Sequence, residues 1–312
     1  MKLSLIVPIY KQKKHLPKFL EKMTKQTSNE YEIIFVVDTE NDNVISIIDF
    51  YKNQLKGKIR VIFNTKRSGR RFAVTSAIRI AQGDYSLILS VTNSFENTMI
   101  EKVNEVCKEK GTDIIEFRSR IKTPIKTTGM LRKNFGKPVD LTKDHTPLAY
   151  CYLFKFNKIF KTEILKKVIK IPKINPQVNS RFSVELLLKI LIIAKTYSTK
   201  NIKIIRLKVS KDSDINTLSL FRQWNKILQQ EIFEPYIEAL RYNQYHFFSL
   251  LLLGMVGTSR NKNLISKTKK YIDKEFSTSF FGANKYYISI NKETKILKSY
   301  QNKKSIKAYK EI

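Results

Sequence analysis

Arg70 and Arg71, directly behind Ser68-Gly69, present two guanidinium groups at adjacent positions. Guanidinium groups bind phosphate oxygens through forked, charge-assisted hydrogen bonds, so a diphosphate is a ligand this pair could meet. The same four residues also read as a solvent-facing turn in a chain rich in lysine and arginine. Two further clusters carry polar groups: the stretch Asp38-Thr39-Glu40-Asn41-Asp42-Asn43, and the hydroxyl and amide groups of Ser90-Val91-Thr92-Asn93. Glu185 falls in the first turn of a helix predicted over residues 181–195. It reads as a proton acceptor for an attacking hydroxyl, or as an acid placed there by the helix dipole or by surface pairing. His15, His145 and His246 are scattered, without the i, i+4 pairing of a histidine metal site. Neither a G-x-x-x-x-G-K-[ST] phosphate loop nor a G-x-G-x-x-G dinucleotide fingerprint is present.

The elements that must position these groups alternate in type. Leu3-Ser4-Leu5-Ile6-Val7-Pro8-Ile9-Tyr10 is short, apolar and β-branched, as expected of a strand buried on both faces. Leu16, Phe19, Leu20 and Met23 recur at helical spacing, and a second apolar strand is predicted over 31–37. Strand, helix, strand is a βαβ crossover and predicts a parallel sheet. A third strand over 58–63, a helix over 73–80 and a fourth strand over 85–89 continue the pattern. Ligands of open α/β sheets bind beyond the carboxyl ends of the strands, which makes the loops after Ile9, Val37, Phe63 and Leu89 the candidate site.

These blocks resemble the nucleotide-sugar half of the family 2 glycosyltransferases, which have the GT-A fold. The family reads as an apolar strand ending V-P-x-Y-N, a strand ending V-D-D-G-S-x-D, then A-R-N-x-G-I-x-x-A-x-G-x-Y, then a strand ending in D-x-D. Asp38 and Asp42 fall on the second and third acids of the second block, with Val37 at the first and Thr39 at the glycine. Ala73, Ile78, Ala81, Gly83 and Tyr85 match the third block, while Val74-Thr75 stand where Arg-Asn is usual. The fourth block departs most, because Ser90-Val91-Thr92-Asn93 contains no carboxylate. Phe156-Asn157-Lys158-Ile159-Phe160-Lys161 is similar to the family's W-N-K-L-F-K, though an ordinary strand explains it equally. The resemblance fades near Leu220.

The resemblance implies a nucleotide-sugar donor and a glycolipid or polysaccharide acceptor. Pro8 and Tyr10 would line the nucleoside pocket and Asp38 would hold the base. Ser90, Thr92 and Asn93 would face the diphosphate, and Glu185 would be the candidate base on the acceptor hydroxyl, aligned with the family's Glu-Asp pair. The family's Mg²⁺ or Mn²⁺ is expected there, but its hard anionic ligands are missing. No residue is therefore assigned to a metal, and Arg70 and Arg71 become candidates to meet the diphosphate instead. Asp84 and Glu96 are the other carboxylates that could move in.

Composition sets the outer bounds. The 312 residues, 42% hydrophobic and 11% aromatic, suit a folded globule of one or two domains. A formal charge of +32 attracts polyanions, whether an anionic membrane surface, nucleic acid or charged sugar nucleotides, although base composition alone also enriches lysine. Cys107 and Cys151 form no metal or disulfide pattern, which fits a reducing cytoplasm. The first residues do not read as a signal peptide, and the apolar stretch 247–256 is too short to span a bilayer, so a cytoplasmic protein, peripheral to the inner membrane face, is expected. Beyond Leu220 the periodicity is helical, and Tyr236, Tyr242, Tyr245, Phe247 and Phe248 read as core or as an interfacial anchor.

The expected fold is α/β and GT-A-like: a parallel-dominated mixed sheet flanked by helices over residues 1–220, then a mostly helical extension over 221–312. The leading function is glycosyl transfer, impaired if the missing acids are not replaced. A non-catalytic relative acting as a binding or scaffold protein is the alternative. A basic nucleic-acid-binding protein is the third reading, supported by charge without any recognition motif.

Overall fold

The apolar runs at the start of the chain become adjacent parallel strands, β1 (Leu3–Ile9) and β2 (Tyr31–Val37), each buried along its whole length. Between them α1 (Leu16–Thr24) lays Leu16, Phe19, Leu20 and Met23 on the sheet, with Pro17 in its first turn, where no intrahelical N–H is required. The computed structural model describes residues 2–10, 13–38, 42–64, 68–108, 111–122, 133–170, 184–208, 217–248 and 262–276. The features expected at residues 39–41, 181–183 and beyond 276 lie outside the described residues, as does most of the apolar stretch 247–256.

The described residues divide into two units. The first unit contains residues 1–120, 134–141 and 153–208. After β2 come α2 (Asp42–Lys52), β3 (Ile59–Phe63), α3 (Gly69–Ile80), β4 (Tyr85–Ile88), β5 (Ser94–Phe95), α4 (Met99–Cys107) and β6 (Ile114–Lys122). Next are β7 (Val139–Asp140), β8 (Lys158–Lys161), α6 (Thr162–Val168), α7 (Val184–Ile193) and β9 (Thr196–Lys208), with α5 (Thr146–Tyr150) belonging to the second unit. The described strands form one sheet in the order β3-β2-β1-β4-β8-β6-β9-β5, with β7 on β9. Pairings β1 to β2, β2 to β3 and β1 to β4 are parallel, whereas β8 runs antiparallel to β4 and to β6. The sheet is therefore mixed, with the expected parallel βαβ half at one side.

The amino-terminal ends of β1, β2 and β4 are tied by a buried polar node. Ser4 Oγ donates to Glu32 Oε1 at 2.6 Å, Gln82 N donates to the same oxygen at 2.8 Å, Gly83 N donates to Ser4 Oγ at 2.8 Å, and Arg60 pairs with Glu32 Oε2. Burial alone would raise the Glu32 carboxyl, but hydrogen bonds from Ser4, Gln82 and Arg60 outweigh it and hold it below its ordinary value. Gly83 sits so close to β1 that a Cβ there would lie 2.5 Å from Lys2 O and 2.7 Å from Ser4 N. That close approach is the physical reason for a glycine in the block Ala81-x-Gly83-x-Tyr85.

The second unit contains residues 121–133, 142–152 and 209–312. Its described helices are α5, α8 (Thr217–Leu228), a 3-10 segment (Glu231–Tyr236), α9 (Ile237–His246) and α10 (Lys262–Glu275). Tyr242, Tyr245, Phe247 and Phe248 are buried: Phe247 and Phe248 pack on Trp224, and Phe248 on Phe221, with ring centroids 4.9–5.5 Å apart, while Tyr242 meets Tyr150 at 5.5 Å and Tyr245 meets Phe276 at 5.0 Å. These aromatics are core and are not an interfacial anchor. Asn243 Nδ2 donates to Leu148 O at 2.6 Å and to Cys151 O at 3.0 Å, fixing α9 to the end of α5.

Two tests follow from the Glu32 node. Gly83→Ala, which forces a side chain against backbone, lowers stability by about 1–3 kcal/mol in urea unfolding. Because the folded Glu32 carboxyl is depressed, its contribution is complete above the unfolded value of about 4.3 and is lost as pH falls through the folded value. Glu32→Gln is accordingly less stable than the parent at neutral pH, and the gap closes below about pH 4.

Candidate active site at the carboxyl edge of the sheet

The carboxyl ends of β1, β2, β3 and β4 open on one edge, and because β8 is antiparallel to β4, the segment entering β8 opens there too. Asp38 follows β2 directly. Its Oδ1 accepts from Ser68 N at 2.7 Å and Asn64 Nδ2 at 3.0 Å, and its Oδ2 accepts from Gly69 N at 2.7 Å. It thus caps α3 from thirty residues away, while Ser68 itself makes no side-chain cap. Gly69 has φ of +84°, a left-handed conformation that glycine adopts without steric cost.

This clamp corrects two expectations. The helix starts at Gly69 and not at Ala73, so Ser68-Gly69-Arg70-Arg71 is a helix cap and first turn and not a solvent-facing turn. Arg70 and Arg71 are both half-buried. Arg71 Nη1 lies 2.9 Å from Glu185 Oε1, and Lys189 Nζ reaches the same oxygen at 3.0 Å. Glu185 is therefore a buried carboxylate bracketed by two cations, one from α3 and one a turn further along α7. Burial lowers the Lys189 amine below its ordinary range, opposed by the hydrogen bond and charge of Glu185.

The loop after β4 closes on itself. Ser90 N donates to Asn93 Oδ1 at 2.7 Å, Asn93 N donates to Ser90 O at 2.9 Å, and the Ser90 and Thr92 hydroxyls are 2.9 Å apart. Asn93 is buried, and its Nδ2 has no hydrogen-bond partner among the described residues. Pro8 is buried in β1, and Tyr10 is half-buried just beyond it. Of the predicted residues, then, Asp38 is joined to the helix turn carrying Arg70 and Arg71, and Arg71 to Glu185, while Pro8, Tyr10, Ser90, Thr92 and Asn93 stand at the same edge.

Sequence reasoning missed Lys155 and Lys189. Lys189 was readable from its i, i+4 spacing to Glu185. Lys155 carries no such signal. It lies just ahead of β8, is buried, and has no partner for Nζ among the described residues. Burial first, and then the charges of Arg70 and Arg71, hold its amine well below the usual lysine range. Lys158 is different in kind: fully buried, its Nζ lies 2.9 Å from Glu116 Oε2, which also accepts from Tyr197 OH at 2.6 Å. That closed pair anchors the segment similar to W-N-K-L-F-K.

Among the described residues the donor set does not fit a divalent cation. The oxygens after β4 are neutral and bonded within their own loop, and the unpartnered atom is an N–H donor, which calls for an acceptor. Asp84 is spent at the opposite edge, taking a hydrogen bond from Lys2 N at 3.2 Å, and Glu96 is paired with Lys102 and Arg206. Among the described residues no three His, Cys, Asp or Glu side chains converge on a point where a metal would sit.

Comparison with known proteins defines the class. The sequence model of glycosyl transferase family 2 matches residues 4–169, just over half the chain, and the chain belongs to that family. It is 32% identical over 113 residues to glycosyltransferase GlyG of Streptococcus pneumoniae, covering 36% of this chain and 37% of that one. It is 28% identical over 123 residues to the undecaprenyl-phosphate 4-deoxy-4-formamido-L-arabinose transferase of Proteus mirabilis, covering 38% and 37%. The matches thus span little more than a third of the length of these relatives. In fold it is similar to crystal structures of residues 1–349 of Staphylococcus aureus TarS, a poly(ribitol-phosphate) beta-N-acetylglucosaminyltransferase. The free form has a TM-score of 0.62 at 18% identity over 93% of this chain and 92% of that one. The complex with UDP-GlcNAc has a TM-score of 0.61 at 17% identity over 93% of each chain. Among the described residues no helix is long and apolar enough to cross a membrane.

Asp38→Ala strips three donors of a charged acceptor and releases the first turn of α3. A loss of about 1–3 kcal/mol is expected, with faster hydrogen exchange at the Ser68 and Gly69 amides than elsewhere in α3.

Proposed function

We propose that the protein transfers a glycosyl group from a nucleoside-diphosphate sugar to a lipid-linked or polymeric acceptor. The observation that carries this reading is the gathering of Asp38, the α3 arginines and Glu185 at the carboxyl edge of the sheet in a family 2 chain. Two of the relatives are named for phosphate-bearing acceptors, undecaprenyl-phosphate and poly(ribitol-phosphate), and a chain of formal charge +32 is complementary to such acceptors.

In this reading Pro8 and Tyr10 border the nucleoside. Asp38 accepts from the base; a carboxylate offers about four lone-pair sites, and three hydrogen bonds leave room for one more. Ser90, Thr92 and Asn93 face the diphosphate. The acceptor hydroxyl gives its proton to Glu185, and its oxygen forms the new bond to the anomeric carbon. The bond from that carbon to the diphosphate oxygen breaks, its electron pair leaving with the diphosphate. Positive charge aimed at the departing diphosphate stabilises the transition state because it is fixed before the reaction begins.

The test is release of nucleoside diphosphate from a panel of UDP- and GDP-sugars in the presence of lipid-linked and polymeric acceptors. One donor is expected to turn over. Glu185→Gln then lowers kcat by about 10²–10⁴-fold with a much smaller effect on donor affinity. An unchanged kcat removes Glu185 from proton transfer. Nucleotide binding without any turnover favours the non-catalytic reading.

A further inference from the structure

We infer that the donor's diphosphate is held without a divalent metal, by a clamp of Arg70 and Arg71 from α3, Lys155 from the segment entering β8, and the Asn93 amide from the loop after β4. The inference rests on the reading of this edge as the donor site, and it assigns a new role to Lys155 and a specific atom to Asn93.

Three independent features point to an anion. The first is unsatisfied donors. Buried polar groups are nearly always hydrogen-bonded, yet Lys155 Nζ and Asn93 Nδ2 are both buried and lack a partner among the described residues. The Asn93 orientation is fixed by its Oδ1 accepting from Ser90 N, so the outstanding atom is the donor end. The two residues stand at the same end of neighbouring antiparallel strands, one after β4 and one before β8.

The second feature is the helix terminus. The first turn of α3 contains no acid and two arginines, although the positive end of a helix dipole favours negative charge. Asp38 supplies one carboxylate to the backbone there and Glu185 one to Arg71, and the charges of Arg70 and Arg71 both act on the buried amine of Lys155.

The third feature is the lysine itself. Burial first, and then the charges of Arg70 and Arg71, lower the Lys155 amine. A diphosphate placed beside it acts in the opposite direction and raises the amine again. A site organised around a metal would instead set carboxylates here.

The experiment is calorimetric titration of the full chain with UDP, GDP and inorganic pyrophosphate, in EDTA and in Mn²⁺, repeated in two buffers of different ionisation enthalpy. Binding of UDP or GDP in EDTA, not tightened more than about threefold by Mn²⁺, is expected, with net proton uptake near neutral pH. Lys155→Met is expected to weaken diphosphate binding at least tenfold and to abolish the proton uptake, while uridine or guanosine binding is unchanged and reports an intact fold. Asn93→Ala gives a smaller loss with the proton uptake retained. Binding that requires Mn²⁺, or a Lys155→Met variant with parental affinity and proton uptake, overturns the clamp while leaving the donor site standing. Failure of every nucleotide to bind under all conditions overturns the donor site and the clamp with it.

Discussion

The Asp38 carboxylate, clamped on the amino terminus of α3, is the interaction on which the site depends. By local rules α3 has little reason to begin where it does: it opens with glycine, carries two arginines in its first turn, and gains no cap from the Ser68 side chain. Like charges crowded at the positive end of a helix are unfavourable. Asp38 reverses this by bringing a charge and accepting two backbone N–H groups together with the Asn64 amide. Its own backbone is held by a hydrogen bond from Asp38 N to Ile9 O at 3.0 Å. The order of β1 and β2 is thereby passed to α3, and through Arg71 to Glu185 on α7.

The two ends of the sheet divide the labour. At the amino-terminal edge Glu32 accepts from Ser4, Arg60, Gln82 and Gly83, groups from three segments. At the carboxyl edge Lys155 Nζ and Asn93 Nδ2 are buried without a partner among the described residues. Open α/β sheets bind their ligands beyond the carboxyl ends of their strands, the end at which these two donors stand.

What could be read in the sequence follows the same division. The strands β1 and β2 and the helix α1 were legible to within a residue, because continuous apolar runs and a helical apolar stripe are local signals. The start of α3 was not, since its cap is contributed by Asp38 and no local pattern reveals it. The helix α2 was missed for a similar reason: its start falls inside a cluster of Asp and Asn that reads as a turn. The strand β9 begins at Thr196, in a polar stretch that carries no local strand signal. Its buried Thr199 is satisfied by Phe135 and Asn134, partners more than sixty residues distant in sequence. Of the residues gathered at the carboxyl edge, the arginines and Glu185 were singled out by type and position. Lys155 was invisible, because its amine is lowered by burial and then by the charges of Arg70 and Arg71, both of which only the fold brings about.

The choice of lysine at 155 has its own logic. Arg70, Arg71 and Lys155 bring like charge to one edge of the sheet, and an arginine cannot relieve this, being protonated at any ordinary pH. A lysine can, because burial and its neighbours' charges favour its neutral form. A metal solves the same problem by leaving the site. A cluster built wholly from arginines would either open toward water or demand further carboxylates, and those would compete with the diphosphate for the same hydrogen bonds. One deprotonatable member among fixed charges lets the cluster stay closed without a ligand and become fully charged with one.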